Sequence, residues 1–311
     1  MTAMPKRKII LDCDPGQDDA IAILLALASP ELDVVAITAV AGNVGLDRTE
    51  RNARAMVELA GATTPVHAGC PRPLLRPPVD AAHVHGETGL AGANLPPPAR
   101  PLAAGHAVDV IRDTIRRNPP GTISIVAVGP LTNLACALIQ APDIAPLIGE
   151  IVLMGGAIGL GNVTPAAEFN IYADPHAAAV VFGAGAPLIM VPLELTHQAL
   201  ATTGRVAAIA ALGNEAGRQA ASILRAYPKD TQFGDSGGPL HDPCAVAYLL
   251  WPELMSGRDC HVAIETEGTH CLGRTVVEWR RRTHAANARV LDQIDAQTFF
   301  ARLTERVGRL P

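Results

Sequence analysis

The sequence predicts an α/β fold, an open, mostly parallel sheet with helices on both faces and an active site at the C-terminal strand ends. Three observations predict it. Strand and helix signals alternate through the first two-thirds of the chain. The strand segments are short β-branched and aliphatic runs with little polar alternation, as suits strands covered on both faces. Most of these runs end near Gly, Asn or Asp, where the chain must turn toward a helix. The chain has 311 residues, 49% of them hydrophobic, with no internal repeat and no separating linker, so one domain spanning residues 1–311 is expected.

Lys8 to Asp12 reads as the first strand, and Gln17 to Ala28 as an amphipathic helix. Asp33 to Val40 is a second strand, ending at Ala41-Gly42-Asn43, and Leu46 to Ala60 is a helix closed by Gly61. Val66 to Ala68 is a short strand. A helix over Ala104 to Asn118 stops at Pro119-Pro120-Gly121. Thr122 to Val128 is a strand, Leu131 to Gln140 a helix, and Ile148 to Met154 a buried strand ending in Gly155-Gly156. Pro175 to Phe182 is a helix with Pro in its first turn, and Leu188 to Val191 a strand. Val206 to Leu212, Glu215 to Arg225 and a segment starting at Pro243 read as helices. Strands follow at His261 to Glu265, Arg274 to Trp279 and Ala288 to Leu291, then a helix over Ala296 to Val307. This succession is Rossmann-like. Two Pro- and Gly-rich stretches, 76–101 and about 226–241, break the rhythm and are expected to be mobile loops over one pocket.

The formal net charge is −5, with no long basic run, and aromatic residues make up 3%. That balance argues against nucleic-acid and membrane partners. The apolar run Ile9 to Leu11 is too short for a signal peptide, and no stretch is long enough to cross a bilayer, so a cytoplasmic location is expected. The six cysteines form no CxxC pair, which disfavours a zinc site and leaves most of them as small buried hydrophobes.

Chemistry concentrates in Asp12-Cys13-Asp14-Pro15-Gly16-Gln17-Asp18-Asp19, at the predicted strand-to-helix turn. Ligands of open α/β sheets bind at such turns. A helix N-terminus tolerates acids, so a capping cluster is one reading. Four carboxylates exceed what a cap needs, and hard oxygen ligands suit Ca²⁺ or Mg²⁺. Other strand ends carry Asn43, Asn133, Asn162, Glu168, Asn170, His241 and Asp242. Singly, Asn43 could be a turn residue and Asp242 a helix cap. Together they place polar groups on the edge that holds the aspartates, which suits a polyhydroxylated ligand beside a metal.

The chain resembles the nucleoside hydrolases, in particular the inosine–uridine-preferring group. The resemblance rests on Asp12-Cys13-Asp14-Pro15-Gly16-Gln17-Asp18-Asp19-Ala20, His85-Gly86-Glu87-Thr88-Gly89, Val152 to Gly156, Glu168-Phe169-Asn170, Leu195-Thr196-His197-Gln198-Ala199-Leu200 and His241 to Tyr248. It implies that Asp14, Asp19, Asp242 and the Val128 carbonyl hold Ca²⁺, and that Asp14 is the general base. It implies ribose contacts for Asp18, Asn43, Asn162, Glu168 and Asn170, with Met154 beneath the sugar and Phe169 among the substrate-binding residues. His241 resembles the leaving-group acid, and His85 a base-side contact. A homodimer or homotetramer is implied too. Related members place a tyrosine against the nucleobase in the segment matching Tyr227 to Phe233; here Tyr227 precedes Pro228-Lys229-Asp230 and Phe233 follows.

The implied reaction is hydrolysis of a ribonucleoside N-glycosidic bond, purine or pyrimidine, to ribose and free base. Two other readings compete. In a haloacid-dehalogenase-like phosphohydrolase Asp12 would be the nucleophile beside Mg²⁺, but that chemistry wants a downstream lysine, and only Lys229 follows Lys8. A non-catalytic ribose- or nucleoside-binding protein would need the pocket but neither base nor acid.

Overall fold

The computed structural model describes residues 6–227, 233, 237–280 and 283–311. The strands are β1 (Arg7–Cys13), β2 (Leu32–Ala39), β3 (Val66–Ala68), β4 (Ile123–Ala127), β5 (Glu150–Met154), β6 (Leu188–Val191), β7 (Met255–Cys260), β8 (Val262–Ile264), β9 (Thr275–Val277) and β10 (Ala288–Ile294). Eight of them form one sheet in the order β3-β2-β1-β4-β5-β6-β10-β7, parallel throughout except where β7 pairs antiparallel with β10. The order reverses between β1 and β4, which opens a crevice beyond their C-terminal ends.

The helices are α1 (Gln17–Leu27), α2 (Leu46–Leu59), α3 (Ala82–His85), α4 (Ala107–Arg117), α5 (Thr132–Gln140), α6 (Phe169–Ala173), α7 (Pro175–Gly183), α8 (Leu193–Thr196), α9 (Thr203–Ala210), α10 (Glu215–Ala226), α11 (Pro243–Leu250) and α12 (Ala296–Val307). Strand alternation sorts the core into two layers. Ile9, Leu11 and Cys13 of β1 face a cluster built with α1, α2, α10, α11 and α12, whereas Ile10 faces a cluster built with α4, α5 and α7. Among the described residues no helix is long and apolar enough to cross a membrane.

The predicted elements form within a few residues of their expected bounds, with instructive differences. Helix α1 is buried on nearly every side rather than amphipathic, because α2, α10, α11 and α12 all pack on it. Truncating Leu24 or Ile21 there to Ala would cost roughly 2 to 5 kcal/mol. The segments expected as strands near 261–265 and 274–279 pair with each other as a separate two-stranded ribbon, β8 and β9. Strand β7 was not expected, since Met255-Ser256-Gly257-Arg258-Asp259-Cys260 is an edge strand with mostly exposed polar side chains. Of the six cysteines, Cys13, Cys244 and Cys260 are buried, Cys70 and Cys136 are half-buried and Cys271 is exposed, so the expectation of burial holds for half of them.

Segment 76–101 contains the short helix α3 and is otherwise irregular. It is fastened by side chains: Asn52 Nδ2 donates to Thr88 O, Gln17 Nε2 to Ala91 O, Ser222 Oγ to Gly92 O and Gln219 Nε2 to Asn94 O. The second expected loop lies partly outside the described residues, at 228–232 and 234–236.

Candidate active site

A cavity of about 310 Å³ opens at the crevice between β1 and β4. It is lined by Asp18, Asn43, His85, Val128, Met154, Asn162, Glu168, Phe169, Asn170, His241 and Asp242, all picked out from the sequence. Asp14 and Asp19 lie beneath that wall, fully buried. Ala81, His83, Val84, Val163, His197, Tyr227 and Pro239 complete the lining. No lysine or arginine is among these residues.

The turn after β1 sets the acids. Asp19, in the first turn of α1, accepts from Gly16 N–H at 2.9 Å and Asp14 N–H at 3.0 Å, so it does cap the helix. The capping reading stops there. Asp18, Asp19 and Asp242 bring carboxylate oxygens within 4.8 Å of one another. Asp242 occupies the cap position of α11 without using its side chain as a cap. Asp14 is not in that trio. Its Oδ2 accepts Asn43 N–H at 2.6 Å, and its Oδ1 is buried with no hydrogen-bond partner. Asp14 sits in a cradle of backbone: a Cβ on Gly42 would overlap its Oδ2, and one on Gly129 would lie 2.5 Å from its Oδ1.

Asp12, the fourth acid, faces away. Its parity on β1 is that of Ile10, so its carboxylate meets Thr38 Oγ1 at 2.5 Å and Asn133 Nδ2 at 2.8 Å on the α5 side. Burial raises its pKa to about 6. Desolvation likewise raises Asp14 and Asp242 well above the carboxylate range and Asp19 to about 7, with neighbouring acids adding to each shift. Such a cluster holds protons unless a cation offsets its charge. The buried Asp14 Oδ1 with no hydrogen-bond partner, an all-oxygen donor set and the lack of a cationic side chain among the described lining residues fit a hard divalent ion.

Glu168, Asn170, Asn43 and Asn162 are pinned by backbone. Glu168 caps α6: its Oε1 accepts Asn170 N–H at 2.9 Å, and its Oε2 accepts Gly156 N–H at 2.8 Å and Ile171 N–H at 3.2 Å. Asn170 Nδ2 donates to Val128 O at 3.0 Å and Met154 O at 3.1 Å, and Asn43 Nδ2 donates to Asp14 O at 3.2 Å and Asp19 Oδ2 at 3.1 Å. Asn162 Oδ1 accepts Phe169 N–H at 3.0 Å. Asn43 is therefore more than a turn residue.

Burial outweighs the three donors and raises the Glu168 pKa from 4.5 to about 7. Between those values the folded chain holds this proton and the unfolded chain does not, so the carboxyl's contribution to stability is lost as pH rises through that window. Glu168→Gln is expected to flatten that slope. Urea unfolding at pH 5, 6, 7 and 8 checks it: the stability advantage of wild type over the variant should shrink with rising pH, and a constant difference would refute the assignment.

Another wall of the cavity is histidine-rich. His85 Nδ1 accepts Gln17 N–H at 3.3 Å, at the start of α1, and burial lowers its pKa, so its neutral form carries the hydrogen on Nε2. Its ring lies 5.8 Å from that of Tyr227. His197 packs edge-on against Phe233 at 4.9 Å and lies 5.9 Å from His241, whose Nδ1 is 2.8 Å from Thr196 Oγ1. Sequence reasoning did not give Thr196 and His197 roles, although their motif was visible; only the short helix α8 after β6 brings His197 into the cavity lining and buries Thr196 against His241.

The family model for inosine-uridine preferring nucleoside hydrolases matches residues 9–301. An uncharacterised protein of Schizosaccharomyces pombe is 50% identical, over 98% of this chain and 100% of that protein. The pyrimidine-specific ribonucleoside hydrolase RihA of Citrobacter koseri is 46% identical, over 96% of this chain and 97% of its own. The solved structure of a purine-preferring ribonucleoside hydrolase from Gardnerella vaginalis superposes with a TM-score of 0.90 at 34% identity, covering 97% of this chain and 98% of that one. With its eight-stranded sheet and an acid-lined crevice at the β1–β4 reversal, the chain belongs to the inosine–uridine-preferring nucleoside hydrolase family, enzymes that cleave N-glycosyl bonds.

Proposed function

We propose that this protein hydrolyses the N-glycosidic bond of ribonucleosides, pyrimidine nucleosides preferentially, with Asp14 as general base and Ca²⁺ as its metal. The observation that carries the reading is the buried acid group under a cavity whose other walls offer amide oxygens on one side and imidazoles on the other. The base preference rests on the 46% identity to a pyrimidine-specific relative against 34% to a purine-preferring one.

Asp14, Asp19, Asp242 and the Val128 carbonyl would hold the ion, which when bound supplies Lewis-acid chemistry to hydroxyls and water. Asp14 takes the proton of the attacking water on Oδ1, which has no hydrogen-bond partner in the protein, while Asn43 N–H steadies Oδ2. The amide nitrogens of Asn43 and Asn170 are spent on backbone and on Asp19, which leaves their carbonyl oxygens to accept from ribose hydroxyls. Asp18, Asn162 and Glu168 complete that wall, with Met154 beneath the sugar and Phe169 at its edge. Surrounding carboxylates favour the positive charge that grows on the ribose ring as the bond breaks. His241 and His85 serve the leaving base. Water entering opposite the base gives inversion. The working unit is a homodimer or homotetramer, and the site is reached by a free nucleoside in the cytoplasm.

A panel of uridine, cytidine, inosine and adenosine, assayed for free ribose with and without EDTA, tests this. Uridine or cytidine should lead, and EDTA should stop release. Tight nucleoside binding without ribose would favour a binding protein instead, and phosphate release from phosphomonoesters a phosphohydrolase.

A further inference from the structure

We propose that Thr196 is the positioning residue that makes His241 a hydrogen-bond donor to the departing base; this rests on the hydrolase reading above. Thr196 is fully buried at the C-terminal end of α8. Its hydroxyl has one hydrogen and two candidate acceptors: His241 Nδ1 at 2.8 Å and Leu193 O at 3.4 Å. Leu193 O already accepts His197 N–H at 2.8 Å, and 3.4 Å is long for a hydroxyl donor. Leu193 O could take a second donor only over that long contact, and we assign the hydrogen to Nδ1, the nearer acceptor. A neutral imidazole that accepts at Nδ1 carries its own hydrogen on Nε2, the other nitrogen of a ring that lines the cavity. The reverse tautomer would present a lone pair to a base that is gaining negative charge.

The chemistry balances without a proton from the histidine. The sugar–nitrogen bond breaks, its electron pair leaves with the base, and Nε2–H steadies that charge by a hydrogen bond. The attacking water supplies the new C–O bond and gives its proton to Asp14; solvent afterwards protonates the base.

A leaving group that needs no such help separates positioning from general damage. Thr196→Val keeps the side-chain shape and removes the hydroxyl. Its kcat on uridine is expected to fall about ten- to hundredfold, the worth of one hydrogen bond to a charged group, with KM nearly unchanged. On 4-nitrophenyl β-D-ribofuranoside, whose phenolate departs unaided, it should stay within about threefold of wild type. Thr196→Ser should restore uridine turnover. Equal losses on both substrates, or no loss on uridine, would overturn the proposal. Nitrogen-15 NMR of histidine-labelled wild type, with His241→Gln to assign the signal, reads the tautomer without the valine variant: hydrogen on Nε2 supports the proposal and hydrogen on Nδ1 refutes it. A wild type that releases ribose from no nucleoside sinks the hydrolase reading itself, whereas turnover with an unaffected valine variant sinks only the role of Thr196.

Discussion

Asp14→Asn is expected to lower kcat for ribose release by about a thousandfold, within the range for loss of a general base, while the fold survives. The amide is nearly isosteric and still offers an oxygen to Asn43 N–H, which anchors the native carboxylate at 2.6 Å. What it lacks is a proton acceptor of carboxylate strength at the position of Oδ1, the buried oxygen with no hydrogen-bond partner in the protein. Asp18→Asn is the informative control. Asp18 lines the cavity and belongs to the carboxylate trio, so its loss should act largely through KM. Steady-state kinetics of both variants, with thermal melts to confirm folding, decide the matter. An Asp14→Asn enzyme within tenfold of wild type would remove Asp14 from the chemistry.

Removing divalent cations is expected to abolish turnover and to lower the melting temperature by about 5 °C relative to saturating Ca²⁺. The figure follows from mass action: an ion at about 100 times its Kd adds about 2.7 kcal/mol, and about 2 °C accompanies each kcal/mol in a chain of this size. The pH dependence has a definite sign. Asp19, raised from 3.8 to about 7, binds more proton folded than unfolded between those values. The metal-free protein therefore loses stability as pH rises through that window. The gain from Ca²⁺ should be small at pH 5 and large at pH 8. Scanning calorimetry with EDTA or Ca²⁺ at both values reads it directly. Asp242→Asn should erase the difference, and a melt indifferent to the ion at pH 8 would exclude a metal at this group of acids.

Much of this site was legible because its residues stand just past strand ends or at helix starts, where the periodic patterns break. Asp18, Asn43, Glu168, Asn170 and Asp242 could be found that way without knowing the strand order. Two things could not. The pleat of β1 turns Asp12 toward α5, whereas Asp14 lies past the last strand residue, Cys13, and is aimed by the turn, so two acids that look alike in sequence serve different sides. Thr196 is a common residue whose partner lies 45 positions away, and only the folded chain brings its hydroxyl to His241. Strand β7 escaped for a different reason: with its side chains largely in water, no hydrophobic period marks it.

The glycines at 42 and 129 leave the Asp14 carboxylate walled by main chain rather than by side chains. Main-chain walls cannot be exchanged one residue at a time. Sequence drift can therefore reshape what the enzyme accepts through the side chains that line the cavity, while the acid at its floor keeps one setting.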